Sequence, residues 1–209
     1  MPAAMLQIGE RIRVERARKG ISLRSLARSV GLSPSLISQI ETGKCQPSVS
    51  TLYAITTALG VSVQDVFGEA SPPAAPMAVG QVTLPAPAPR GAGEAGGPVV
   101  CPGQREVIEF DSGVIWQRLG RVPGSHVDFL LVSYEPGGCS SPAGRLMQHP
   151  GTEYGYLIQG ELTVALGGLL HRLAPGDAVS FASVTPHAYR NEGTAPAVGV
   201  WFVVPSDGP

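Results

Sequence analysis

Two short stretches of this 209-residue chain carry residue types that do chemistry. In one, His149-Pro-Gly-Thr-Glu153 is followed further on by Pro186-His187 and Asn191. Two imidazoles and a carboxylate, each on a strand or at its edge, can converge inside a small barrel. Such a set is the facial triad suited to iron(II), and it accommodates zinc, manganese or nickel as well. In the other stretch, Ser35, Ser38 and Gln39 follow Ser33-Pro34 at a spacing that leaves them on the outer face of a short helix. Small hydrogen-bonding side chains there match the donor and acceptor patterns of base edges in a DNA major groove.

The elements that must position these groups follow from periodicity. Leu23, Leu26, Ala27 and Val30 fall on one face of a helix that Ser22 can cap. Gly31 supplies the sharp exit, Ser33 caps a second helix, and Pro34 stands at its first position, where a missing N–H costs nothing. Leu36, Ile37 and Ile40 point inward. A first helix over Met5–Lys19 has Leu6, Ile12 and Val14 as its main apolar residues and arginines outside. Arg24, Arg28 and Lys44 flank the groove-facing helix, where phosphate contacts would position it without reading sequence. Ser22, Ser33, Pro34 and Thr42 complete the expected DNA-binding set.

From residue 70 to 98 proline, alanine and glycine dominate and charge nearly vanishes, the composition of a flexible linker. Beyond it, short apolar runs alternate with turn residues: Asp128–Tyr134, Tyr154–Ile158, Glu161–Leu166, Asp177–Phe181 and Val198–Val204 read as strands. The expectation is therefore a helical domain over 1–69, a linker over 70–98 and an all-β jelly-roll barrel over 99–209.

The net charge of −1 conceals an asymmetry. Residues 1–69 hold eight Lys and Arg against five Asp and Glu, a balance of +3, while the remainder carries seven against eleven, or −4. A basic front on an acidic body suits a protein that sets one end against phosphate. Cys45, Cys101 and Cys139 have neither paired nor metal-site spacing, so reduced thiols in a cytoplasmic setting are expected, with Cys45 a bystander. No apolar run approaches the roughly 18 residues of a membrane span.

The run Ser22–Gly43 resembles the helix-turn-helix of Xre-type, lambda-repressor-like DNA-binding domains, and Pro47 through Phe67 resembles that family's fourth and fifth helices. The later motifs resemble the cupin family. His149 matches the second histidine of the first cupin motif, Glu153 its glutamate and Gly160 its closing glycine; Gly176, His187 and Asn191 match the second motif. Met147 stands where the family has its first histidine, so a three-ligand site takes the place of a four-ligand one. His126 and His171 lie outside the motifs and read as ordinary strand residues.

Together the resemblances imply a homodimeric, sequence-specific transcriptional regulator on an inverted-repeat operator. Its cupin would bind a small-molecule effector, a divalent metal or both, with Met147, Tyr154, Tyr156, Phe181, Tyr189 and Trp201 as pocket lining and no catalytic residue. A second resemblance, to hydroxypropylphosphonate epoxidase, implies a mononuclear non-haem iron oxygenase holding iron on His149, Glu153 and His187. Against it, Arg145, Arg172 and Arg190 are the only basic side chains near the motifs, with no cluster for a phosphonate.

Overall fold

The computed structural model describes residues 3–67, 99–122 and 125–206. The expected linker, 70–98, lies outside the described residues. Four helices come first: α1 Ala3–Arg18, α2 Leu23–Ser29, α3 Pro34–Glu41 and α4 Val49–Leu59, followed by a 3-10 turn at Val63–Val66 in place of the expected fifth helix. The caps expected for α2 and α3 are present. Ser22 Oγ accepts from Ser25 N–H at 3.1 Å and Ser33 Oγ from Leu36 N–H at 3.2 Å. Gly31 takes φ +67° in the turn between them, a conformation an L side chain resists.

Ile12, Leu26, Ile37, Ile40, Leu52, Ile55 and Leu59 form the helical core. On α1 the inward residues are Ile8 and Ile12, whereas Val14, expected inside, is 55% exposed. Both sets fit a helical period, and only the neighbouring helices decide which stripe is covered. Arg16 ties α1 to α3 through two bonds, Nε to Glu41 Oε1 at 2.6 Å and Nη2 to Oε2 at 2.8 Å.

Nine strands follow: β1 Val107–Phe110, β2 Val114–Arg118, β3 Asp128–Tyr134, β4 Thr152–Gln159, β5 Leu162–Leu166, β6 Leu169–Leu173, β7 Ala178–Ala182, β8 His187–Arg190 and β9 Ala197–Val204. All pairings are antiparallel, in a six-stranded sheet ordered β1-β2-β3-β9-β4-β7 and a three-stranded sheet β6-β5-β8. The five expected strands are present. β1, β2, β6 and β8 add to them, being four or five residues long and too short to show a period. The inner face of the large sheet buries Trp116, Leu130, Val132, Leu157 and Trp201. Gly155 in β4 makes room for this packing: a Cβ there would lie 2.5 Å from Trp201 Cε2. His171 lies on exposed β6, but His126 precedes β3 rather than sitting in a strand.

The helices rest on the mouth of this barrel. Ser50 N–H, in the first turn of α4, donates to the Ser140 carbonyl at 3.0 Å. The Arg118 guanidinium stands 5.3 Å over the Phe67 ring, and Arg11 donates to the Phe67 carbonyl. Tyr53, on α4, meets Trp116 edge to face at 5.7 Å between centroids.

Candidate metal centre and nucleic-acid face

His149 sits just before β4, Glu153 is the second residue of β4 and His187 opens β8. The backbone bridge between Met147 and His187 joins these segments, with Met147 N–H donating to the His187 carbonyl at 2.7 Å and His187 N–H returning to Met147 at 3.0 Å. Glu153 Oε1 lies 2.9 Å from His149 Nε2 and 3.0 Å from His187 Nε2, and all three side chains are buried. One ligand atom from each falls within 4.8 Å of the other two.

The contacts are close, yet none has hydrogen-bond alignment: these same three atoms are buried polar atoms without a hydrogen-bond partner. The far nitrogens explain why. His187 Nδ1 lies 2.8 Å from the Thr185 carbonyl, and His149 Nδ1 3.3 Å from that of Pro150. A carbonyl only accepts, so each Nδ1 carries a proton, and in the neutral ring each Nε2 presents a lone pair toward the carboxylate. Three electron-pair donors converging in a buried pocket call for a cation between them. The donor set and its spacing therefore fit one divalent ion, and the buried atoms left without partners are what such an ion would satisfy.

Glu153 is prepared for that charge. Burial pushes its carboxyl up, but protons on the facing nitrogens of His149 and His187 would outweigh burial and hold it at about 2, and an ion in their place would act in the same direction. Its other oxygen, Oε2, accepts from the Tyr189 hydroxyl at 2.5 Å, and Trp201 Nε1–H donates to that hydroxyl at 3.2 Å. Burial, and then the Glu153 charge, raise the Tyr189 phenol well above its ordinary range, so it remains a donor. Met147, Tyr189 and Trp201 line a small cavity of about 20 Å³ beside Glu153, and Phe181 packs on His187 at 5.0 Å. Tyr154 and Tyr156, expected to line the pocket, do not: strand alternation turns them to the outer face, each 50% exposed.

The opposite end is polar and open. Ser35 and Gln39 are exposed on α3, and Ser38 is half-buried beside them. Arg24, Arg28 and Lys44 are exposed around that helix, as are Ser22, Ser33, Pro34 and Thr42. The hydroxyl of Thr42 donates to the Ser38 carbonyl at 2.8 Å, so it helps close α3.

The family described as a helix-turn-helix domain matches residues 7–66, and the family described as a cupin domain matches residues 130–203. The chain joins a helix-turn-helix domain to a cupin domain. The HTH-type transcriptional regulator PuuR of Escherichia coli strain K12 is 26% identical over 185 residues, covering 88% of this chain and 86% of that protein. A solved HTH_3 family transcriptional regulator from Vibrio cholerae superposes with a TM-score of 0.66 at 19% identity, over 97% of both chains, and so shares the two-domain fold. Hydroxypropylphosphonic acid epoxidase from S. wedmorenis superposes at 0.45 and 19% identity over 97% of this chain, too loosely to bring an activity with it.

Sequence reasoning missed the cupin site's nearest helical neighbours. Tyr53 stacks on His149 with ring centroids 4.1 Å apart and planes within 3°, and Val49 lines the 20 Å³ cavity beside it. In the sequence both look like ordinary helix positions of the helix-turn-helix domain, and no spacing rule connects them to a histidine about a hundred residues away.

Proposed function

We propose that this protein is a homodimeric, sequence-specific transcriptional regulator whose cupin barrel holds one divalent ion on His149, Glu153 and His187 and takes a small-molecule effector there. The observation that carries this reading is the solvent-facing α3, with Ser35, Ser38 and Gln39 outward and Arg24, Arg28 and Lys44 around it. Polar groups would read base edges and the cations would meet phosphate. The similarity to a named transcriptional regulator over most of the chain supports it, and no described helix is long and apolar enough to cross a membrane. The working place of such a regulator is the cytoplasm.

A dimer is supported by the outer face of the six-stranded sheet. Tyr154, Tyr156, Ile158, Phe202 and Val204 are each 37–50% exposed, and Phe202 stacks on Phe129 at 4.5 Å. An apolar sheet face of this kind marks an interaction surface. A second copy seated there would supply the second α3 that an inverted repeat requires. When bound, the ion would offer open coordination positions to effector oxygen or nitrogen atoms.

The test is selection of bound duplexes from a random pool by the full-length protein near physiological salt. Enrichment of an inverted repeat with half-sites about one helical turn apart is expected. Salt-sensitive background without enrichment would overturn the regulator reading.

A further inference from the structure

The two domains meet at the metal centre. Tyr53 borders two spaces at once. On one side is the 20 Å³ cavity it shares with Val49, Met147, Glu153 and Tyr189. On the other is a cleft of about 320 Å³ between the domains, lined by Thr57, Ser62, His126, Asp128 and His149. The ring, flat against His149, is the partition between them.

The inner space holds a single ion or water and nothing larger, since one water needs roughly 10–15 Å³ on this measure. His149 itself borders the cleft, but an organic molecule passing from it to Glu153 and the inner cavity must displace the Tyr53 ring. That ring is only 8% exposed and is held against Trp116 as well as His149, so it can leave them only toward the cleft. α4, which carries it, does not deform alone. Leu52, Ile55 and Leu59, on its other side, are 0–1% exposed in the helical core, and close-packed interiors move as units. Its first turn is pinned to the barrel by the Ser50–Ser140 bond, and Arg145 Nη1 comes within 3.8 Å of a Cβ placed at Gly31, in the turn that leads into α3.

We propose that α4, through Tyr53 and Val49, is the lid of the barrel site, so that any occupant larger than one ion drives the Tyr53 ring off His149 and disturbs the seat of α4 on the barrel. An ion alone leaves the lid seated; an organic effector and the seated lid exclude each other. The effector then binds the lifted state only, and that difference in affinity is what moves the population. The consequence for DNA rests on the regulator reading above, whereas the lid itself does not.

The test uses the full-length protein and diethyl pyrocarbonate, which transfers an ethoxycarbonyl group to an unprotonated imidazole nitrogen and releases ethanol and carbon dioxide. Sites are read by mass spectrometry. In the wild type, His149 is expected to react at least about tenfold more slowly than exposed His171, because reaction waits for the lid to open. Tyr53→Ala is expected to accelerate His149 by about tenfold or more without changing His171, and Tyr53→Phe, which keeps the ring, to react like the wild type. The second readout needs no variant. Once His149 carries the added group, backbone hydrogen exchange of residues 49–59 should rise about tenfold, because the cavity cannot hold both group and ring. Fast labelling of His149 in the wild type, a folded Tyr53→Ala that labels no faster, or unchanged α4 protection after labelling would each overturn the lid. Failure to enrich an operator would strike the regulator reading while leaving these outcomes standing.

Discussion

The α3 face and the His149–Glu153–His187 cluster place their polar groups under opposite conditions. On α3 the polar side chains are exposed, come from one eight-residue helix, and are hydrated whether or not a partner is present. In the barrel they are buried, come from segments almost forty residues apart, and point at one another without hydrogen-bond alignment. A solvated polar group costs nothing while idle, but a buried one left without a partner costs about 1–3 kcal/mol. The exposed face therefore reads as a surface waiting for a partner, and the buried cluster as a site whose geometry makes sense around a charge.

Removing one member from each region sharpens that contrast. The largest effect is expected from His187→Ala, which should abolish stoichiometric divalent-metal binding measured by metal analysis after dialysis; one ion per chain retained in that variant would mean the triad is wrongly assigned. Tyr189→Phe comes next. It removes the hydroxyl that holds Glu153 Oε2 while preserving the ring, and metal affinity should fall about 10–100-fold by competition with a chelator. Neither change touches α3, so intrinsic affinity for an operator should persist in the metal-free protein.

Gln39→Ala should do the reverse, weakening specific DNA binding by about 1–3 kcal/mol in a gel-shift titration with metal content unchanged. Equal operator affinity would remove Gln39 from the reading surface. The smallest effect belongs to Arg24→Ala. It should weaken all duplexes alike and lower the salt-dependence slope by about 1, as loss of one phosphate contact requires. A loss confined to the specific sequence would instead place Arg24 at a base edge.

How legible each region was follows from the same contrast. The caps at Ser22 and Ser33 and the turn at Gly31 depend on residues no more than three positions apart, so local chemistry predicts them and the structure has them. The inward stripe of α1 departs from the expectation at Val14 because helical period allows two neighbouring stripes and only the elements packed against α1 choose between them. β8, which delivers His187, is four residues long and carries almost no periodic signal of its own. Tyr154 and Tyr156 face outward rather than into the pocket, because an aromatic on a strand does not reveal which face is covered.

By itself the sequence determined a basic helical front, an acidic β body, the turn that orients α3 and the identity of the three candidate ligands. Those properties reside in composition and in contacts between near neighbours. Only the tertiary structure decided that Glu153 Oε1 stands between two Nε2 atoms, that Tyr189 holds the other oxygen, and that Tyr53 of the helix-turn-helix domain stacks on His149. Apart from the His149–Glu153 contact, each of these joins residues 34 to 96 positions apart, brought together by burial of the two cores, and no local rule encodes which distant side chains will meet there.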